Sequence, residues 1–376
     1  MSRDFTQAER LKFLILQDGI DISPAALDYI RTANENRALT PADYASTSGV
    51  ILELEDAVWV NAPIATYNAN FVESPQHRLE LEIDHLVITS KELHSNVRFW
   101  LPPLYHDGHN SDGVPYTEFA FTHADRVRIS PIEGCAFACR FCNLPFEFRY
   151  RTKRIEDLVD AVRVALTDPV QPASHVLISG GAPRLGDFAY LQEAYVRILE
   201  EFPDTPIDIM MVPMEGLLDV ENFAELGVNE LSINLEVFDP GIARQLMRRK
   251  YDQGREHYLD FLARAAEILG PGRVRSMLMV GLEPAEQSLA GVRAIAERGC
   301  VPVLSPFRPD PATPLRNESP PTASFMEDVY LRAHDITREA DVPLGPSCIP
   351  CGHNTLTFAN DGAGDAHRHY GHPKMV

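Results

Sequence analysis

The 376-residue chain lacks the features that mark membrane, secreted and nucleic-acid-binding proteins. No apolar run approaches the roughly 18–20 residues that cross a bilayer. The N-terminal stretch MSRDFTQAERLKFLILQDG has no small-residue cleavage site after its short apolar segment. Acidic residues outnumber basic ones, 54 to 34, for a net charge of −20. We therefore expect a cytoplasmic protein with neither a membrane nor a nucleic acid as partner, because nucleic-acid binders usually carry a basic footprint.

Cysteine is also scarce, and its distribution is uneven. The chain has six cysteines, too few for a secreted disulfide scaffold of this length. Three of them lie within eight residues, in the stretch CAFACRFC, at Cys135, Cys139 and Cys142. Two more form a C-x-x-C pair at Cys348 and Cys351. Such clustering indicates metal or redox chemistry in a reducing compartment.

Hydrophobic patterning divides the chain into three regions. Residues 1–115 contain two helical patterns and the alternating stretch GVILELEDAVWVNAPI, which predicts a β-hairpin. From about residue 124, short β-like runs alternate with amphipathic helical runs, which implies parallel strands joined by right-handed crossovers. The six predicted strands are RVRISPI, SHVLISG, IDIMMVP, ELSINLEV, VRSMLMVGL and VPVLSPF. We expect an N-terminal α+β cap domain (1–115), an α/β barrel or doubly wound sheet (116–315) and a C-terminal extension (316–376).

The three clustered cysteines directly follow the first predicted strand of the α/β region. Loops after the carboxyl ends of parallel strands build the active sites of such folds. Thiolates spaced C-x3-C-x2-C can hold three corners of a 4Fe-4S cluster and leave one iron open for a ligand. A zinc site would need a distant fourth ligand. A disulfide would leave one thiol over, and a nucleophilic cysteine has no need of two neighbouring cysteines.

With Phe141 before its last cysteine, the motif resembles the signature of the radical S-adenosylmethionine (radical SAM) superfamily. The stretch SGGAP (179–183), after the second strand, resembles the glycine-rich segment of that family, where the backbone approaches the methionyl group of SAM. The polar end of the fourth strand, SINLE (232–236), resembles the family segment that contacts the SAM ribose and methionyl groups.

The resemblance continues through the last two predicted strands and covers about residues 124–310. The stretch MLMVGLE around Gly281 resembles the segment that packs the adenine, although the first glycine of the family pattern is absent. The stretch PVLSPFRPDPATPL resembles the biotin-synthase-like branch of the family, and Arg308 within it is a candidate cation for a carboxylate of SAM or substrate.

The resemblance implies a fold, two cofactors and a reaction. The implied fold is a partial (β/α)6 TIM-like barrel, and Cys135, Cys139 and Cys142 would bind a 4Fe-4S cluster. Reductive cleavage of SAM would yield a 5′-deoxyadenosyl radical that abstracts hydrogen from a substrate. An external one-electron reductant such as flavodoxin or ferredoxin would be the protein partner. The implied SAM contacts are Phe141, Gly180, Gly181, Ala182, Asn234, Glu236 and Gly281.

The pair Cys348 and Cys351 leaves several interpretations open. It could bind an auxiliary iron–sulfur cluster, which would need further ligands such as His353 or Cys300. It could donate hydrogen to a substrate radical, act as a redox pair, form half of a zinc site or be a tight turn with two packed thiols. We expect Cys300 to be a small buried hydrophobe. The histidine-rich tail HRHYGH (367–372) is a weaker metal candidate.

We expect a radical SAM enzyme that acts on a small molecule of specialised metabolism. The acidic net charge and the lack of a peptide-recognition motif favour this class of substrate. The reaction type is open among epimerisation, dehydration, oxidation or reduction, rearrangement and carbon–carbon bond formation. One alternative is a peptide-modifying radical SAM enzyme that binds its precursor at the N-terminal hairpin. The other is an iron–sulfur or zinc-binding redox or regulatory protein without catalysis.

Overall fold

A computed structural model describes residues 3–45, 49–65, 75–90, 93–359 and 373–376. Within these residues, one mixed sheet occupies the N-terminal region and a larger, mainly parallel sheet occupies the centre of the chain. None of the helices in this part of the chain is long and apolar enough to cross a bilayer. The histidine-rich segment 367–372 lies outside the described residues.

The N-terminal region begins with helices α1 (Gln7–Asp18) and α2 (Pro24–Ala33). A capping box at Thr6 starts α1, and the Ser23 side chain accepts a hydrogen bond from the third residue of α2, so each helix begins where its sequence signal predicts. The sheet has the order β1-β4-β5-β6-β2-β3. Its strands are β1 (Asp21–Ile22), β2 (Gly49–Leu54), β3 (Val58–Pro63), β4 (Arg78–Glu82), β5 (His85–Thr89) and β6 (His94–Phe99).

The central sheet has the order β15-β14-β13-β12-β11-β8-β7, and all its neighbours are parallel except β7 and β8. A separate ribbon pairs β9 (Ile132–Glu133) with β10 (Arg151–Thr152). The six predicted strands are confirmed, whereas the antiparallel edge strand β7 was not predicted. The strands of this sheet are β7 (Ala120–His123), β8 (Arg126–Ile129), β11 (His175–Ile178), β12 (Ile207–Met210), β13 (Glu230–Ser232), β14 (Val274–Val280) and β15 (Val301–Pro306).

Helices alternate with these strands, so the region forms the predicted partial TIM-like barrel. Strands such as β11 are buried along their whole length, as expected for parallel strands covered on both faces. After the short α3 (Leu144–Glu147), the helices are α4 (Ile155–Leu166), α5 (Phe188–Glu201), α6 (Val220–Glu225), α7 (Pro240–Leu246), α8 (Arg248–Gln253), α9 (Arg255–Leu269), α10 (Ala285–Ala296) and α11 (Ala323–Glu339).

The C-terminal segment 344–357 returns to the central sheet and crosses the amino ends of its strands. Its backbone follows β15, where the N–H of Gly345 donates to Pro302 O and the N–H of Leu356 donates to Leu304 O, both at 2.8 Å. Between these contacts, Ser347 donates to Glu230, the first residue of β13. The segment therefore closes the amino end of the curled sheet, the end opposite the loops that follow the strands.

The N-terminal sheet packs on this same end of the barrel. Lys12 of α1 is buried and donates to the carbonyl oxygens of Gly352 and Thr357, both at 2.9 Å. The Trp100 indole donates to Ala124 O, in the β7–β8 turn, at 2.8 Å. The Lys12 contacts join the N-terminal region to the C-terminal segment, and the Trp100 contact joins it to the barrel. The expected domain boundaries at 115/116 and 315/316, and the role of the N-terminal region as a substrate cap, stay predictions.

Candidate functional site

The three clustered cysteines lie at the carboxyl end of the central sheet, on the loop that follows β8 and β9. The Sγ of Cys135 accepts hydrogen bonds from the backbone N–H of Phe137 at 3.3 Å and of Ala182 at 3.2 Å. The backbone of Arg140 donates to Leu246 O, at the end of α7, at 2.8 Å. The loop is thus fixed on both sides, and two N–H donors point at one sulfur, as suits a thiolate ligand.

The glycine pair after β11 packs directly against this loop. Gly180 has a φ of +131°, which side chains rarely adopt. A Cβ at Gly181 would overlap the carbonyl oxygen of Gly134 and lie 2.7 Å from the Cα of Cys135. The N–H of Ala136 donates to Ala182 O at 2.9 Å. Glycine at 181 is therefore required for the close approach of the two loops, whatever else it contacts.

Electrostatics at this end depend on the thiols and one ion pair. Burial raises the pKa of Cys139 to about 12 and of Cys142 to about 11. The positive charge of Lys250 opposes that rise, and the negative charge of Glu236 adds to it. Iron binding requires thiolates, so a cluster must displace the thiol protons. Three adjacent thiols on one fixed loop, with N–H donors to sulfur, fit a cluster with three protein ligands.

Lys250 is the residue of this end that sequence reasoning missed. Its ammonium group donates to Glu236 Oε1 at 2.7 Å and to Asn234 O at 3.1 Å, and the lysine is buried. Burial alone would lower the pKa of Lys250, but the Glu236 carboxylate raises it above its usual range. Its only sequence signal is rarity, since the chain has five lysines, and that signal says nothing about distance to the cysteines.

Glu236 itself has an unusual backbone. Its φ is +66°, a left-handed conformation that costs a non-glycine residue free energy and tends to occur at functional sites. Two hydrogen bonds hold it: its N–H donates to Met277 O, and its carbonyl accepts from Met279, each at 2.8 Å. The side chain can therefore face Lys250 and the cysteine loop. The family resemblance implies that Glu236 contacts SAM there.

The remaining predicted SAM contacts lie at the same end but differ in environment. Asn234 is buried, and its side-chain oxygen accepts from Ser232 Oγ at 2.9 Å and from the Met277 N–H at 3.2 Å. Gly281 has a φ of +104°, and a Cβ there would lie 2.9 Å from Pro321. Phe141 is half-buried against the core. Their roles toward SAM stay predictions.

The structure does not bring the second cysteine pair to this site. Cys348 and Cys351 are buried at the opposite, amino end of the sheet, beside Asp125 and His175. Burial alone would lower the pKa of His175, but Cys351 and the carboxylates around it raise it to about 10, so this pocket favours positive charge. Neither Asp125 nor His175 was singled out from the sequence.

The other residues named with that pair lie outside it. His353 is buried but is not part of the four-residue group. Cys300 is fully buried, with its Sγ 3.4 Å from Leu262 O, as expected for a small packed side chain.

Residues 129–293 match the sequence model of the radical SAM superfamily. The chain contains a radical SAM domain. The match runs from the end of β8 into α10 and includes the three clustered cysteines and the glycine pair. A radical SAM domain implies a 4Fe-4S cluster and SAM as cofactors. The biotin-synthase-like branch stays a prediction.

Over 249 residues the chain is 25% identical to the bacteriochlorophyllide c C-7(1)-hydroxylase of Chlorobaculum limnaeum. The match covers 57% of this chain and 60% of that protein, so the chain spans about three fifths of the length of this relative.

Solved structures of radical SAM enzymes are also similar in part. A radical SAM methyltransferase from Sphaerobacter thermophilus is 15% identical with a TM-score of 0.47, over 74% of this chain and 79% of that one. The FeFe-hydrogenase maturase HydG from Carboxydothermus hydrogenoformans is 16% identical with a TM-score of 0.45, over 58% of this chain and 52% of that one.

Proposed function

We propose that the protein is an enzyme that cleaves SAM reductively and uses the resulting 5′-deoxyadenosyl radical to abstract hydrogen from a small-molecule substrate. The observation that carries this proposal is the loop with Cys135, Cys139 and Cys142, which Gly181 allows to pack at the carboxyl end of the barrel within a matched radical SAM domain. When bound, the cluster supplies the electron that breaks the C5′–S bond of SAM.

The protein residues bind and orient the cofactors in this proposal. The thiolates of Cys135, Cys139 and Cys142 would hold the cluster and, as three ligands, would leave it able to bind SAM. The N–H groups of Phe137 and Ala182 orient the Cys135 sulfur. Lys250 neutralises Glu236 and fixes its carboxylate, which would then be oriented to accept hydrogen bonds from SAM. By holding SAM in one orientation, these residues would direct its C5′ atom toward the substrate.

Two observations favour a small-molecule substrate. The hydroxylase relative is named for a bacteriochlorophyllide, a small molecule. The net charge of −20 disfavours polyanionic macromolecules as substrates. Arg308, buried just after β15, is the candidate cation for a carboxylate of SAM or substrate. An external one-electron carrier of the flavodoxin or ferredoxin type would reduce the cluster.

The test uses anaerobically reconstituted protein with SAM and a strong one-electron reductant. We expect about four irons per chain at this loop and the formation of 5′-deoxyadenosine, measured by liquid chromatography and mass spectrometry. Cys139→Ala should form none, because the cluster loses a ligand, whereas Cys300→Ala is the matched control and should behave as the unchanged protein. Full iron loading without 5′-deoxyadenosine, or its formation by Cys139→Ala, would contradict the proposal.

The substrate class is tested by stimulation of SAM turnover. Cell extract is divided by ultrafiltration into a small-molecule fraction and a retained fraction of peptides and proteins. We expect the small-molecule fraction to increase 5′-deoxyadenosine formation and the retained fraction to leave it at its basal rate. Stimulation by the retained fraction alone would favour the peptide-modifying alternative.

A further inference from the structure

The amino end of the barrel holds a second group of metal-ligating side chains, from Asp125, His175, Cys348 and Cys351. All four residues are buried, and one ligand atom from each lies within 4.8 Å of the other three. We propose that they bind one Zn²⁺ ion, which fixes the C-terminal segment to the barrel. This site is separate from the radical SAM site and does not depend on the proposed reaction.

The distances between the donor atoms match a tetrahedron around one ion. Asp125 Oδ1 lies 3.2 Å from Cys348 Sγ, 3.6 Å from Cys351 Sγ and 3.4 Å from His175 Nε2. Cys351 Sγ lies 3.3 Å from His175 Nε2. Tetrahedral zinc, with bonds of about 2.3 Å to sulfur and about 2.0–2.1 Å to nitrogen and oxygen, separates its ligands by about 3.3–3.8 Å. Three of the four distances fall within this range, and the fourth, 3.2 Å between Asp125 and Cys348, is about 0.1 Å shorter. The other two pairs of donor atoms lie within 4.8 Å.

The fold explains how three distant segments meet here. Asp125 lies in the β7–β8 turn, and His175 is the first residue of β11. Since β8 and β11 are parallel, with His175 paired to Arg126, the two donors begin neighbouring strands. The two cysteines arrive on the C-terminal segment, where the N–H of Cys351 donates to Cys348 Sγ at 3.3 Å. That backbone donor stabilises a thiolate at Cys348.

The donor set selects zinc among the common metals. Two thiolates, one imidazole and one carboxylate form a borderline-soft set that suits Zn²⁺ better than Ca²⁺ or Mg²⁺, which prefer all-oxygen sites. Four protein ligands leave no position for water or substrate, as in structural zinc sites. In a 2Fe-2S or 4Fe-4S cluster at least two of the four ligands bind different irons, which would place those donors farther apart than the four donors are here.

Location argues against a hydrogen donor. The four residues of β8 separate Asp125 from the loop that carries the cluster cysteines, and a strand of that length spans roughly 13 Å. Thiols at the amino end are therefore too far from a radical at the carboxyl end for direct hydrogen transfer. Four protein ligands would close the metal site, and the two thiols lie far from the cluster loop. For both reasons we assign Cys348 and Cys351 a structural role.

The surroundings of the group fit a bound cation. Asp208 Oδ2 lies 3.8 Å from the Nδ1 of His175, beyond hydrogen-bond distance but on the side where carboxylates support metal-binding histidines. Arg275 pairs with Asp208 and with Glu230, so these two carboxylates already share one cation. The Oδ2 of Asp125 is buried and accepts no hydrogen bond within the described residues. A divalent ion would balance the charge that remains.

The test measures zinc in the full-length protein, purified without chelator or added zinc. We expect about one zinc per chain by elemental mass spectrometry. Cys348→Ser and His175→Gln should each lose at least half of it, because each removes one of four ligands. Cys300→Ser, which changes a buried cysteine outside the group, is the matched control and should keep it. Equal zinc in Cys348→Ser and Cys300→Ser would overturn the proposal.

A second measurement uses the unchanged protein, so it tests the proposal even if the substituted chains fold poorly. X-ray absorption at the zinc edge of the unchanged protein should give two sulfur and two nitrogen or oxygen neighbours. Replacement by Co²⁺ should give a thiolate-to-cobalt charge-transfer band with tetrahedral d–d bands. Absence of zinc together with absence of that band, or iron bound at this end instead of zinc, would contradict the assignment. These results do not depend on SAM cleavage, so a failure of the proposed reaction would not change them.

Discussion

The two ends of the barrel hold cysteines in different arrangements. At the carboxyl end, three cysteines lie within eight residues of one loop, and as cluster ligands they would leave a coordination position open. At the amino end, four potential ligands come from the β7–β8 turn, β11 and the C-terminal segment, and around one zinc ion they would fill the coordination sphere. An open site on one loop suits chemistry, whereas a closed site made of three segments suits stability. In this proposal, the strands of the barrel separate the catalytic site from the structural one.

The largest effect should come from a single methyl group at the carboxyl end. Gly181→Ala would force its Cβ into the backbone of Gly134 and Cys135, so the cysteine loop must move. We expect most of the cluster iron and all 5′-deoxyadenosine formation to be lost, with the zinc content unchanged. Gly186→Ala is the control, because a Cβ there meets open space. Equal iron in the two variants would show that the close packing is not needed.

Zinc removal should act on stability and leave the cluster loop in place. If free zinc stands about a thousandfold above its dissociation constant, binding stabilises the fold by about 4 kcal/mol. We expect a chelator to lower the melting temperature of the unchanged protein and to have little effect on Cys351→Ser, which already lacks a ligand. The measurement is thermal unfolding with and without chelator. A similar shift in both proteins would mean that the zinc is bound elsewhere.

Lys250→Met should impair SAM cleavage while the cluster stays bound. Without the ammonium group, the Glu236 carboxylate loses its 2.7 Å partner and its fixed orientation. Loss of such a supporting contact typically costs about 10–100-fold. The rate of 5′-deoxyadenosine formation and the iron content are measured together, and Arg249→Met, an exposed neighbour, is the control. Unchanged kinetics would remove Lys250 from the site.

The smallest effect should come from the contact between the N-terminal region and the zinc-bearing segment. Lys12→Met removes the buried ammonium donor from Thr357 O and from Gly352 O, of which the latter keeps its hydrogen bonds from Thr355, and should cost about 1–3 kcal/mol of unfolding free energy. Denaturant unfolding measures this cost. The control is Arg10→Met, exposed on the same helix, whose change in unfolding free energy should be close to zero. Equal values for the two variants would mean that Lys12 does not anchor the segment.

The sequence predicted the barrel well because parallel strands buried on both faces appear as continuous apolar runs. The cluster loop was equally easy to predict, because its three cysteines are neighbours in sequence. The antiparallel edge strand β7 (AFTH) was missed because, unlike β11 (HVLI), it has no run of three apolar residues. The stretch LELEIDHLVITS, for which no element was predicted above, forms the β4–β5 hairpin.

The amino-end group could not be found from spacing. Cys348 and Asp125 are 223 positions apart and meet only because the C-terminal segment crosses the strand ends. Lys250 and Glu236 pose the same problem over a shorter sequence separation, since the path of the chain from β13 through α7 to α8 decides their contact. Local motifs can be predicted from sequence, whereas sites assembled by tertiary structure require the fold.

The most direct test of two separate metal sites is the iron and zinc content of two variants prepared side by side. The variant with Cys135→Ala, Cys139→Ala and Cys142→Ala should contain zinc and no iron. The variant with Cys348→Ser and Cys351→Ser should contain about four irons and no zinc. Loss of both metals from a folded protein of either kind, or iron retained by the first variant, would contradict the account.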